Sequence, residues 1–209
     1  MKYLTIGLTL AMFLLAGCGS DKKGTTAGAG GPGGSGSGTE NGGNGGGANF
    51  GDTYFPLAKN LEWTYDTKVE GTSVCKAGKQ VTKVNAMAKD QTGNDYYVVI
   101  GDTCLPYGAF RAEEGSTLIQ VGQWETYLSA KFEVGETWSS LLGSYEYVEK
   151  LESFETPAGT FNDCVVREEG TTKTRDTYCK GVGLVHTQGT NFESTLIKKS
   201  FTRKPQKQC

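Results

Sequence analysis

Six cysteines, a single histidine and two adjacent carboxylate pairs are the residues of this 209-residue chain whose types can carry chemistry. The histidine, His186, sits in Leu184-Val185-His186-Thr187, directly after Gly181-Val182-Gly183. Nucleophilic catalysis needs a nucleophile beside a base that is itself oriented, and His186 would have to be that base. No Gly-x-Ser-x-Gly elbow accompanies it, and a strand or hairpin histidine facing solvent is the plainer reading. Glu113-Glu114 and Glu168-Glu169 are neighbours in sequence. Neighbours on a strand point to opposite faces, which is the wrong arrangement for shared acid and base work, so these pairs read as solvated edges and turn flanks. With no C-x-x-C pair and one histidine, no zinc ligand set is in view. The expectation is a protein that is not an enzyme and that carries no metal and no cofactor.

Cys18 is the exception, because its surroundings assign it a covalent role. Met1-Lys2 is a minimal basic start, and residues 3–16 are apolar and uncharged, ending in small residues before Cys18. That is the outline of a secretory signal peptide. Gly19-Ser20-Asp21-Lys22-Lys23 ends the run well short of the roughly 20 apolar residues of a spanning helix. Leu15-Ala16-Gly17-Cys18 resembles the lipobox of bacterial lipoproteins position by position. The resemblance implies cleavage between Gly17 and Cys18, a diacylglycerol thioether on Cys18 and an acylated new amino terminus. Two or more chains anchor stably, each buried CH₂ contributing roughly 0.8 kcal/mol. Gly19 rather than Asp after the cysteine resembles the sorting pattern for the outer membrane over the inner. The expected address is the bacterial cell envelope, with the membrane engaged through the N-terminal lipid.

Loss of residues 1–17 leaves 20 basic residues against 23 acidic, a charge of −3. This argues against nucleic acid, which asks for a basic patch. Residues 18–49 then read as the anchored cysteine followed by a linker: positions 24–47 hold 13 glycines and no large apolar side chain. Such a segment cannot offset its chain entropy by burial. As a Gly-rich coil of 31 residues it would span roughly 30 Å end to end. Residues 50–203 have the size of a single-core domain, and residues 204–209 form a polar tail ending in Cys209.

The domain reads as strands. Positions 62–69 alternate, with Trp63, Tyr65, Thr67 and Val69 on one face and Glu62, Thr64, Asp66 and Lys68 on the other. Further strands are expected at 81–88, 96–100, 108–113, 116–121, 124–129, 145–155, 160–168, 174–180, 184–188 and 192–202. Residues 96–100 are the most apolar run, read as buried on both faces. Val134-Gly135-Glu136-Thr137-Trp138 reads as a turn leading to another aromatic. The fold class is all-β: an antiparallel, strongly curved sheet or half-open barrel of roughly 9–11 strands.

Strand pairing constrains the cysteines. An exported chain meets an oxidising compartment, so pairing is the default. A turn centred between Thr171 and Thr172 sets Cys164 opposite Cys179, within disulfide reach across an antiparallel ladder. Elimination pairs Cys75 with Cys104. Cys209 is left over, either free, joined to another molecule or the partner of a cysteine assigned elsewhere.

Several landmarks together resemble a group of uncharacterised bacterial envelope lipoproteins: Tyr54-Phe55-Pro56-Leu57 before Trp63-Thr64-Tyr65, then Val134 to Trp138, Thr156-Pro157-Ala158-Gly159-Thr160-Phe161 with Cys164, and a segment from Tyr178 to Gly181-Val182-Gly183-Leu184-Val185. Related domains are similar to half-open barrels of the LolA/LolB kind, although no helix suited to plugging such a barrel is visible here. Three roles follow. The first is a noncatalytic module that binds a protein partner or supports the envelope. The second is a carrier or sensor of a hydrophobic ligand, with Trp63, Tyr65, Tyr97, Trp124 and Trp138 as candidate lining. The third is an enzyme using a carboxylate site that sequence motifs do not reveal.

Overall fold

The alternation at Trp63 and Tyr65 becomes a strand with one dry face: Leu61, Trp63, Tyr65 and Thr67 are buried, whereas Asp66 and Lys68 are exposed. The computed structural model describes residues 53–201. The expected signal peptide and linker, Cys18 and Cys209 lie outside the described residues. Twelve strands follow one another: β1 Leu61–Val69, β2 Gly78–Lys89, β3 Asp95–Ile100, β4 Gly108–Glu113, β5 Ser116–Val121, β6 Gln123–Leu128, β7 Thr137–Ser140, β8 Gly143–Thr156, β9 Gly159–Glu169, β10 Arg175–Cys179, β11 Gly183–Gly189 and β12 Phe192–Phe201.

All twelve belong to one sheet, in the order β6-β5-β4-β3-β2-β1-β12-β11-β10-β9-β8-β7. Every neighbouring pair is antiparallel. Two six-strand meanders are thus joined at the middle by pairing of the first strand with the last. The edge strands β6 and β7 are consecutive in sequence and lie side by side. The sheet has therefore curled into a barrel-shaped, nearly closed form with a seam between β6 and β7. Tyr147 of β8 braces that seam by donating its hydroxyl to the Ser129 carbonyl at 3.0 Å. The pairing skips one residue in each of β2, β6, β8, β11 and β12, which supplies local bends, because a bulge kinks its strand and increases its twist.

The strand count exceeds the expected range by the short strand β7. Its four residues pair with β8 from Thr137↔Glu146 to Ser140↔Gly143, and so short a segment carries too little alternation to be read from sequence. β3 also departs from expectation. Val99 is buried, but Tyr96, Tyr97 and Val98 are only partly covered and Ile100 is exposed. A single curled layer gives each strand one dry face and one wet face.

No helix occurs among the described residues. One end of the lumen is filled instead by the extended segment ahead of β1. Tyr54, Phe55 and Pro56 are all buried. The Phe55 ring lies 5.0 Å from Phe110 and 5.6 Å from Tyr127 in one meander, and 6.3 Å from Tyr178 of β10 in the other. The Gly181 N–H donates to the Thr53 carbonyl at 2.7 Å, and Tyr54 donates to the Asp163 carboxylate at 2.5 Å. Gly183 faces the same plug: its φ is +98°, and a Cβ there would sit 3.4 Å from Pro56.

Candidate functional site

The lumen beside this plug holds a cavity of about 520 Å³. Both meanders contribute to its wall. Phe110 and Ile119 come from β4 and β5, Tyr127 from β6, Arg167 from β9, Asp176 and Tyr178 from β10, and Leu184 from β11. Leu105, Pro106 and Tyr107, between β3 and β4, form another side. That connection is fixed by the disulfide Cys75–Cys104, whose Cα atoms are 5.5 Å apart. It is also held by close approach at Gly101, where a Cβ would collide with the Pro106 carbonyl. Leu105 is buried, while Tyr107 and Leu142 line the same space and are 65 % and 45 % exposed. Apolar surface therefore runs from the interior to the outside.

One charged group enters this apolar wall. Arg167 is only 5 % exposed, and it faces Asp176 directly across the β9–β10 ladder. Its Nη2 donates to the Asp176 carboxylate at 2.5 Å and its Nη1 to the Tyr127 carbonyl at 2.9 Å. The guanidinium carbon lies 4.4 Å from the Tyr127 ring, 4.7 Å from Tyr145 and 5.4 Å from Tyr178, close enough for cation–π attraction. The Nε–H is buried and has no acceptor among the described residues. Burial works against the charge of Arg167, but Tyr178, Tyr127 and Asp176 outweigh it and hold the group more firmly protonated than usual. Burial likewise pushes the Tyr127 and Tyr178 hydroxyls up, so both stay neutral. The two hydroxyls share one hydrogen bond of 2.9 Å. A hydroxyl pair has two protons and uses one between its oxygens, so one remains to be donated elsewhere.

The five aromatics singled out from sequence do not line this cavity. Trp63 is buried in the wall, donating its Nε1–H to the Val182 carbonyl at 2.7 Å, and Tyr65 donates its hydroxyl to the Leu184 carbonyl at 2.9 Å. Both tie β1 to the β10–β11 corner. Tyr97 is partly covered, with burial raising its hydroxyl. Trp124 lies in a separate polar cleft, 4.6 Å from the Arg111 guanidinium and 5.9 Å from Tyr96. Trp138 packs on Tyr145 and Tyr147, with centroids 5.7 and 4.6 Å away.

The structure contains two disulfides, Cys75–Cys104 and Cys164–Cys179, the second joining directly paired residues of β9 and β10. His186 is less exposed than a solvent-facing residue. Its side chain is 15 % exposed, its Nδ1 lies 3.1 Å from Thr195 Oγ1, and Phe154 packs on the ring at 5.4 Å. Glu168 receives Lys173 and Arg175, and Glu169 receives the backbone N–H groups of Thr171 and Thr172. No cluster of three metal-ligating side chains occurs among the described residues.

The site residues missed from sequence are Arg167, Asp176, Tyr127 and Tyr178. A signal for the first pair existed, because the turn centre that sets Cys164 opposite Cys179 also sets Arg167 opposite Asp176, and opposite charges across a ladder attract. Nothing local places Tyr127, from the far edge of the sheet, against them.

No family model and no curated protein matches the chain. Among solved structures, it is similar to a candidate lipoprotein from Parabacteroides distasonis ATCC 8503, at 14 % identity and a TM-score of 0.43, over 71 % of this chain and 99 % of that one. It is also similar to a candidate exported protein with a YmcC-like fold from Bacteroides fragilis NCTC 9343, at 14 % identity and a TM-score of 0.44, over 72 % of this chain and 100 % of that one.

Proposed function

We propose that this protein is a noncatalytic carrier or sensor of a hydrophobic ligand in the bacterial envelope, tethered to the outer membrane through acylated Cys18 and the glycine linker. The observation that carries the reading is the cavity of about 520 Å³ in the lumen, within the range of small-molecule sites. A barrel built only for support would close its core over this space, because voids forfeit contact energy. The exposed Tyr107 and Leu142 beside it supply an entry path for an apolar molecule.

The reading is tested by purifying the protein from its native membrane and extracting it. A stoichiometric lipid or other hydrophobe supports it, and an empty extract combined with no uptake of a neutral apolar dye sinks it. Cys18→Ser is expected to release the protein from the membrane fraction, which separates tethering from ligand uptake.

A second reading, a module that docks a protein partner, is favoured by one patch. Val134, Leu141 and Leu142 are exposed around the short strand β7, and a contiguous exposed apolar patch marks a protein-interaction site. Lysine substitution at Leu141 would abolish partner capture under this reading and leave dye uptake unchanged.

A further inference from the structure

The polar cleft around Trp124 lies on the outer face of the barrel, and strand alternation puts it there. Phe110 and Ile119 point into the lumen, so their strand neighbours Arg111 and Gln120 point outward. Gln120 pairs with Trp124 across the β5–β6 ladder and shares its face. Tyr97 pairs with the inward Phe110, which leaves Tyr96 on the outside as well. The connection between β2 and β3 forms another wall. It is held by Asp90, whose Oδ1 accepts from the Thr92 and Asn94 N–H groups at 2.9 and 3.0 Å, and whose own N–H donates to the Asn94 carbonyl at 2.9 Å. The cleft has a volume of about 690 Å³, within the range of small-molecule sites.

The groups that line it are open to solvent. Gln91, Thr92, Asn94 and Gln120 are exposed, and Tyr96 and Trp124 are partly exposed. The charges are already partnered: Lys89 Nζ with Asp95 at 2.8 Å, Arg111 Nη1 with Asp90 at 2.8 Å and Arg111 Nη2 with Glu113 at 2.5 Å. Two cations against three carboxylates leave no spare positive charge, which disfavours an anionic ligand. The Arg111 guanidinium lies 4.6 Å from the Trp124 ring and the Tyr96 ring lies 5.9 Å from it. The indole is therefore held before any ligand arrives, and little ordering cost falls on binding.

What this cleft offers is flat aromatic surface beside neutral amides, and an amide both donates and accepts. A pyranose has the complementary chemistry. Its faces carry C–H bonds that stack on an aromatic ring, and its rim carries hydroxyls that each give and take a hydrogen bond. A hydrocarbon would instead strip water from the amides and return no hydrogen bond. We infer that the cleft binds a neutral saccharide, stacked on Trp124 and Tyr96 with its hydroxyls bonded to Gln91, Asn94 and Gln120. This stands apart from the reading of the lumen and holds whether or not the lumen takes up a dye.

The test is calorimetric titration of the full chain with four neutral tetrasaccharides, cellotetraose, maltotetraose, mannotetraose and chitotetraose, and with the acidic tetragalacturonate. At least one neutral probe is expected to bind about tenfold more tightly than tetragalacturonate. Trp124→Ala is expected to weaken that binding about tenfold, the effect of truncating an aromatic anchor, and Trp124→Phe, which keeps a flat ring, to restore most of it. Tyr96→Ala is expected to weaken it about threefold. Urea unfolding shows which variants are folded, and should Trp124→Ala fail to fold, Tyr96→Ala and the probe series decide. Preference for chitotetraose assigns the site to N-acetylated glycan strands, and preference for a hexose probe to a hexose polymer; either supports the proposal. It is overturned if none of the four neutral probes binds at up to about 10 mM, if tetragalacturonate binds as tightly as they do, or if the folded aromatic-to-alanine variants bind undiminished.

Discussion

Replacing Arg167 by methionine should unfold this domain more readily than almost any other single change in the lumen. Methionine keeps much of the side-chain hydrocarbon, so the loss is electrostatic. Asp176 would be left as a poorly exposed carboxylate without its partner, and the Tyr127 carbonyl would lose its charged donor. Removing one member of a buried pair costs about 3–5 kcal/mol. The lost cation–π contacts, about 0.5–1 kcal/mol each, belong to the same side chain and are not added on top. We expect about 4 kcal/mol, which at a urea slope of about 2 kcal/mol per M moves the midpoint down by about 2 M. Urea unfolding of the full chain, followed through its three tryptophans, reads this directly. Arg167→Met/Asp176→Leu is then expected to recover most of the loss, because apolar replacement of a whole buried pair is close to neutral. The reasoning is refuted if the single variant loses less than about 1 kcal/mol, or if the double variant is no more stable than the single.

Other outcomes follow from the same geometry. Phe55→Ala withdraws the ring that spans Phe110 and Tyr127, and it should cost about 3–5 kcal/mol while raising dye uptake by the enlarged cavity. Cys164→Ala/Cys179→Ala opens a loop with a sequence separation of 15 and should lower stability by about 3 kcal/mol. A non-reducing peptide map should show the two cysteines joined in the parent protein. His186 is held below its ordinary 6.5 mainly by burial, with Glu193 and Asp176 acting the other way. The unfolded chain therefore takes up the proton first, so stability is full above about pH 6.5 and declines as pH falls through the window below it. His186→Gln should flatten the His186 contribution to that decline, and an unchanged pH profile would count against the burial argument.

The sequence by itself determined what depends on short range. Alternation at Trp63 and Tyr65 made β1 a half-buried strand, because side chains point to opposite faces at each step whatever the strand packs on. The turn between Thr171 and Thr172 set the β9–β10 register, and with it the facing of Cys164 and Cys179, because a hairpin fixes pairing by counting from its centre. Tertiary structure decided the rest. β7 exists because β8 offers it an edge. Tyr54 and Phe55 became a plug, in a lumen with no helix among the described residues, because the curled sheet left a space their rings could fill. Pairing of β1 with β12, followed by the approach of β6 to β7, carried Tyr127 to Arg167, which lies 40 residues further along the chain. Alternation can mark Arg167 as one face of a strand, but only closure of the barrel turns that face into the wall of a cavity and leaves its Nε–H without an acceptor.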